Sequence, residues 1–174
     1  MMSMEATANH AMQVAVTTLL DGWSRDPGNV KEVFTELKEA ISGKSGVELD
    51  FKSRPGVSYS LRGSVRKSRE KEAALFVLID IIDDDPDNRW LSVCFYEEKI
   101  TDPKQAGQIV PAGILGVDGY CFDVFEYSES DLTYLHQRID EAYGHPFTHP
   151  PERKKPGCIS SDLSGRAQAF WPCQ

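Results

Sequence analysis

The chain has 174 residues, 40% hydrophobic and 26% charged, which suits one domain with a real core rather than two domains or a disordered polymer. Its net charge of −8 argues against general binding to nucleic acid or to anionic membranes, both of which need a basic surface. The first residues carry Glu5 and no positive region, the apolar run from Ala11 to Leu20 is broken by Gln13 and two threonines, and no run reaches the roughly 18 apolar residues of a membrane span. A cytoplasmic protein is therefore expected, with Cys94, Cys121, Cys158 and Cys173 as reduced thiols.

In chain order, Met12, Ala15, Val16, Leu19, Leu20 and Trp23 recur at helical spacing and predict a helix over 9–22. A turn follows at "SRDPGN". Val30, Val33, Phe34, Leu37 and Ile41 then predict a second helix over 29–42, with Asn29 and Glu32 at capping-box spacing and Gly43 beyond its end. The period then changes. "VELDFK" reads as a strand joined through "SRPG" to "VSYSLRGSV", where Val57, Tyr59, Leu61 and Val65 alternate with Ser58, Ser60, Arg62 and Ser64. "ALFVLIDII" is nearly all apolar, as for a strand covered on both faces. "RWLSVCFYEE" and "GYCFDVFEY" supply the fourth and fifth strands. A third helix is expected over 130–143, with Ser128 and Asp131 at its start and Leu132, Leu135, Ile139 and Tyr143 as its apolar stripe. The expected fold is α+β: a five-stranded, mostly antiparallel meander with two N-terminal helices and one C-terminal helix packed on it, in one domain over 1–144, plus an irregular Pro-rich extension over 145–174.

The basic run of Arg62, Arg66, Lys67, Arg69 and Lys71 has no interleaved aromatic residue and is diluted by Glu70 and Glu72, so it reads as a solvated loop. Asp83, Asp84, Asp85 and Asp87 crowd a turn that lacks the glycine and glutamate of a calcium-binding EF-hand loop; Pro86, Asp87 and Asn88 are ordinary turn residues. The long connection 100–118 is apolar and rich in glycine, with Gly113 and Gly116 as flexible points. Such a loop packs on its own domain, on a ligand, or on a second copy of the chain.

If the strands are neighbours, Ser58, Ser60 and Arg62 line up with Ser92, Cys94, Cys121 and Asp123 on one polar face. Arg62, with Arg54 nearby, is suited to a carboxylate or phosphate, and Asp123 is the one obvious acid or base there. Cys94 and Cys121 read as buried strand residues without a histidine to activate them. In the extension, His145 and His149 have the H-x3-H spacing of a zinc-ligand pair, Cys158 follows nine residues after His149, and Cys173 fifteen residues after Cys158. Neither cysteine forms a close pair, and Pro146, Pro150, Pro151, Pro156 and Pro172 favour a stiff tail anchored by its apolar residues.

The segments "SRPGVSYSLR", "GYCFDVFEY" and "LTYLHQRIDEAY", the last with a late Tyr143, resemble the YjbR-like group of small uncharacterised bacterial α+β proteins over residues 29–144. The two-helix start and the tail depart from that group. The resemblance implies a fold and no catalytic residues.

The expected function is a non-enzymatic binding or interaction module without a cofactor. It would present the 100–118 loop and the polar face around Arg62, with Arg54, Asp123, Gly113 and Gly116, to a small anionic ligand or a protein partner, a homodimer included. The first alternative is a small enzyme acting on an anionic substrate, with Asp123 as acid or base and Arg62 as anion binder. The second is a zinc-stabilised domain using His145, His149, Cys158 and Cys173.

Overall fold

The computed structural model describes residues 4–66 and 73–145. Helices α1 (Met4–Gly22) and α2 (Val30–Ser42) lead into strands β1 (Val47–Arg54), β2 (Ser58–Val65), β3 (Ala74–Ile82), β4 (Trp90–Tyr96), β5 (Gln108–Ile114) and β6 (Val117–Val124), and α3 (Glu129–Gly144) closes the order. All strand pairs are antiparallel, in the order β1-β2-β3-β4-β6-β5. The α+β class and the presence of three helices match expectation, but α1 begins at Met4 rather than at residue 9, α2 differs by one residue at its start and α3 by one residue at each end, and the sheet has six strands rather than five.

The additional strand is β5, inside the segment read as a loop. Its sequence, "QIVPAGI", carries a proline and a glycine that normally break strands. β5 tolerates Pro111 because it is an edge strand. Cys94 and Cys121 face each other with Cα atoms 4.2 Å apart, the spacing of a non-hydrogen-bonded pair, so Cys121 turns its backbone groups toward β5. Alternation then directs the backbone of Gln108 and Val110 at β6, and that of Ile109 and Pro111 outward. Pro111 thus loses no ladder bond and removes a donor from the open edge. A bulge follows between Val110 and Ile114, where the Asp118 carboxylate accepts from the Ala112 N–H at 3.0 Å.

One face of the sheet carries the main core. Leu61, Ile79, Ile81, Leu91, Val93 and Phe95 point there and bury against the apolar stripes of the helices, notably Phe34, Leu37 and Ile41 of α2 and Leu135 and Ile139 of α3. α2 approaches β2 so closely that a Cβ on Gly63 would stand 3.0 Å from Ile41 and 2.7 Å from Val77. Among the described residues, no helix packs on the opposite face. Its own small apolar cluster is Leu78, Cys94, Tyr96, Ile114 and Cys121.

The start of α2 departs from the expected capping box. Asn29 is left-handed with φ 54° and makes no side-chain cap; its amide donates to Glu32 instead. The cap is Asp26, whose two oxygens accept from the N–H groups of Val30 and Lys31 at 2.8 and 2.9 Å. At α3 the expected cap is present: the Ser128 hydroxyl accepts from the Asp131 N–H at 3.3 Å.

Candidate functional site

The strand registers lay out the helix-free face in rows. At one end, Arg54, Ser58, Ile82 and Trp90 stand side by side across β1 to β4. The next row is Lys52, Ser60, Asp80, Ser92 and Asp123. The row after that is Asp50, Arg62, Leu78, Cys94, Cys121 and Gln108. Period-2 alternation puts these side chains on one face, because Tyr59, Leu61, Ile79, Ile81, Leu91 and Val93 occupy the other.

Around β2 and β3 this face forms a polar niche. The Arg54 Nη2 donates to the Ser58 Oγ at 2.8 Å, and the Ser60 hydroxyl donates to the Asp80 carboxylate. Ser58 and Ser60 are buried beneath these groups, Ser60 with 2% of its surface exposed. Burial pushes the Asp80 carboxyl above the ordinary aspartate range, and the Ser60 hydrogen bond and the charges of Arg54 and Arg62 only partly oppose it. Burial also raises Tyr96, with Arg62 pulling in the other direction. Arg62 is therefore close enough to bias both Asp80 on β3 and Tyr96 on β4. Its Nε is buried and has no hydrogen-bond partner among the described residues.

Of the residues singled out from the sequence, Arg54 and Arg62 come together here. Asp123 shares their face, but β3 and β4 lie between β2 and β6, which puts it three strand spacings from Arg62, about 14 Å. Asp123 and Arg62 therefore stand on strands that are not neighbours. Asp123 instead accepts from Ser92 at 3.2 Å. The carboxylate beside the arginines is Asp80, and the sequence reading missed it. The available signal was a single charge in the apolar run "ALFVLIDII", a strand read as covered on both faces.

The 100–118 segment is not an open lid. Its first part is stapled to α3: the Tyr134 hydroxyl donates to Asp102 at 2.5 Å, the Arg138 Nη1 to the Thr101 carbonyl at 2.9 Å, and the Thr101 N–H to Glu141 at 2.9 Å. Burial alone would raise Asp102, but Tyr134, the Gly107 and Ala106 N–H groups and Arg138 together hold it below its ordinary value. The second part is β5 and a two-residue hairpin turn, with Leu115 at φ 50° and Gly116 at φ 89°. Gly113 and Gly116 belong to that hairpin on the sheet edge, away from the arginines on β1 and β2.

Cys94 and Cys121 were expected as reduced thiols. They sit directly opposite on β4 and β6, and their sulfurs are joined in a disulfide. The acidic turn serves the fold. Asp83 is buried, accepts from the Arg89 Nε at 2.6 Å and from the Gly56 N–H at 2.8 Å, and so ties the β3–β4 connection to the β1–β2 turn. Asp85 accepts from Asn88 and from the Asp87 N–H within the turn itself. No group of three or more His, Cys, Asp or Glu suited to a metal ion occurs among the described residues. Of the proposed zinc ligands only His145 is described, at the end of α3; His149, Cys158 and Cys173 lie outside the described residues, as do Lys67, Arg69 and Lys71 of the basic run. No described helix is long and apolar enough to cross a membrane.

No family model, curated protein or solved structure matches the chain.

Proposed function

We propose that this chain is a non-enzymatic binding module that holds a small anionic ligand on the helix-free face of its sheet, with Arg62 and Arg54 as the anion-binding groups. The observation that carries the reading is the buried Arg62 Nε, without a partner among the described residues. A guanidinium stays charged at any physiological pH, and leaving a buried donor unpaired costs about 1–3 kcal/mol. A carboxylate or phosphate oxygen would supply the missing acceptor. Asp80 lies in the same niche, its carboxyl raised by burial and felt by the charges of Arg54 and Arg62, which places both arginines at this part of the face.

Thermal denaturation of the full chain across increasing inorganic phosphate tests this. Ligand that binds only the folded state raises Tm by mass action. A saturable rise, lost in Arg62→Gln, is expected. A rise that survives Arg62→Gln, or no rise with phosphate or sulfate, would contradict the reading.

A second reading is carried by Asp80 alone: an acid or base acting on a substrate anchored by Arg62, in the place first given to Asp123. It differs in one respect. Asp80→Asn would then abolish turnover while phosphate still raised Tm.

A further inference from the structure

We propose that the ligand of this face is a planar aromatic anion, its ring seated on Trp90 and Phe125 and its charged group held by Arg54. The inference rests on the anion-binding reading above and names the ligand class for it. Trp90 follows Ile82 and Ser58 in the row that begins at Arg54, so it lies on the same helix-free face as the niche. The Phe125 ring stands 5.1 Å from the Trp90 ring, at 30° to it, and Phe125 is 63% exposed. One face of the pair is thus open to a third ring, and aromatic rings pair best with rings in such offset or tilted geometry.

The opposite end of the row is cationic. Ser58 holds the Arg54 guanidinium from below at 2.8 Å, which fixes a charge over β2. From Ser58 to Trp90 is two strand spacings, about 10 Å, the length of a small aromatic acid. Ile82, half-buried, forms the apolar floor between them. No carboxylate lies in this row. The next row turns polar at Lys52, Asp80, Ser92 and Asp123, so the apolar strip is one residue wide. A strip of that width fits a flat ring and not the broad face of a helix or a second protein.

Isothermal titration calorimetry of the full chain with inorganic phosphate and with phenyl phosphate tests the inference. Phenyl phosphate should bind about tenfold more tightly, from one ring stacked on an aromatic pair. Phe125→Ala should erase that advantage without changing the affinity for inorganic phosphate, and Arg54→Gln should weaken both. Phe125 is exposed enough that its truncation leaves the fold intact. Equal affinities for the two anions, an advantage that survives Phe125→Ala, or binding untouched by Arg54→Gln would overturn the aromatic assignment while leaving an anion site. Failure of both anions to bind would overturn the anion site as well.

Discussion

The Ser60 hydroxyl on β2 donates to the Asp80 carboxylate on β3, a contact between residues that face each other directly across the ladder. Despite that bond, burial keeps the Asp80 carboxyl above its ordinary value. Between the unfolded value near 3.9 and the raised folded value, the folded chain binds more protons than the unfolded one. Stability therefore falls as pH rises through that window, and the penalty is complete above it. Asp80→Asn should have a higher Tm than the wild type at pH 7, with the gain disappearing below about pH 4. A lower Tm at neutral pH would show that the arginine charges outweigh burial.

Asp83 behaves in the opposite sense. Burial alone would raise it, but the Gly56 N–H and the Arg89 guanidinium together hold it below its ordinary value. The stability it contributes is present above the unfolded value near 3.9 and is lost as pH falls through the lower folded value. Arg89 also stacks over the Trp23 ring at 5.3 Å. Arg89→Met would leave a buried carboxylate without its cation, and urea denaturation at neutral pH should register a loss of about 3–5 kcal/mol. A loss below about 1 kcal/mol, the range of a surface pair, would contradict a buried structural role.

Gly28 is fixed by close approach. A Cβ there would stand 2.1 Å from the Phe125 carbonyl oxygen, a backbone atom, while Tyr127 donates its N–H to the Gly28 carbonyl at 2.7 Å. The α1–α2 turn is thereby sewn to the β6–α3 link. Gly28→Ala should cost about 1–3 kcal/mol or more, as overpacking does, measured by chemical denaturation. A neutral effect would mean the two segments separate without cost.

How legible these features are in the sequence depends on what sets them. The period-2 pattern of "VSYSLRGSV" announces β2 because one of its faces is buried by helices and the other is not. β5 gives no such pattern: its flanks are exposed, and Pro111 and Gly113 are allowed only because its outer edge and its bulge need no ladder bond. Asp80 was hidden for a related reason. Strand β3 is buried on both faces by different clusters, so only the register, which pairs Asp80 with Ser60 and Ser92, assigns it to the polar face. Asn29 stands at capping-box spacing in the sequence, but its left-handed backbone leaves the cap to Asp26, which only the structure shows. The pairing of Cys94 with Cys121 likewise needs the β4–β6 register, 27 residues apart in sequence.

Leu115 pays a conformational penalty that its neighbours do not require. It occupies a left-handed position, φ 50°, in the β5–β6 turn, and its side chain is 50% exposed. A bulky residue there is disfavoured by about 1–2 kcal/mol relative to glycine, and asparagine tolerates the region better. Leu115→Asn should raise stability by about 1 kcal/mol in thermal or urea denaturation. A loss would assign the exposed Leu115 side chain a contact that stabilises the fold.

The most direct test of the account follows the Arg62 Nε–H itself. In a ¹⁵N–¹H spectrum optimised for arginine side chains, assigned by its disappearance in Arg62→Gln, this resonance should shift saturably on titration with inorganic phosphate and exchange more slowly with water as the donor gains its partner. An Arg62 resonance that stays fixed through a phosphate titration, at concentrations that saturate any change elsewhere, would contradict anion binding at this face.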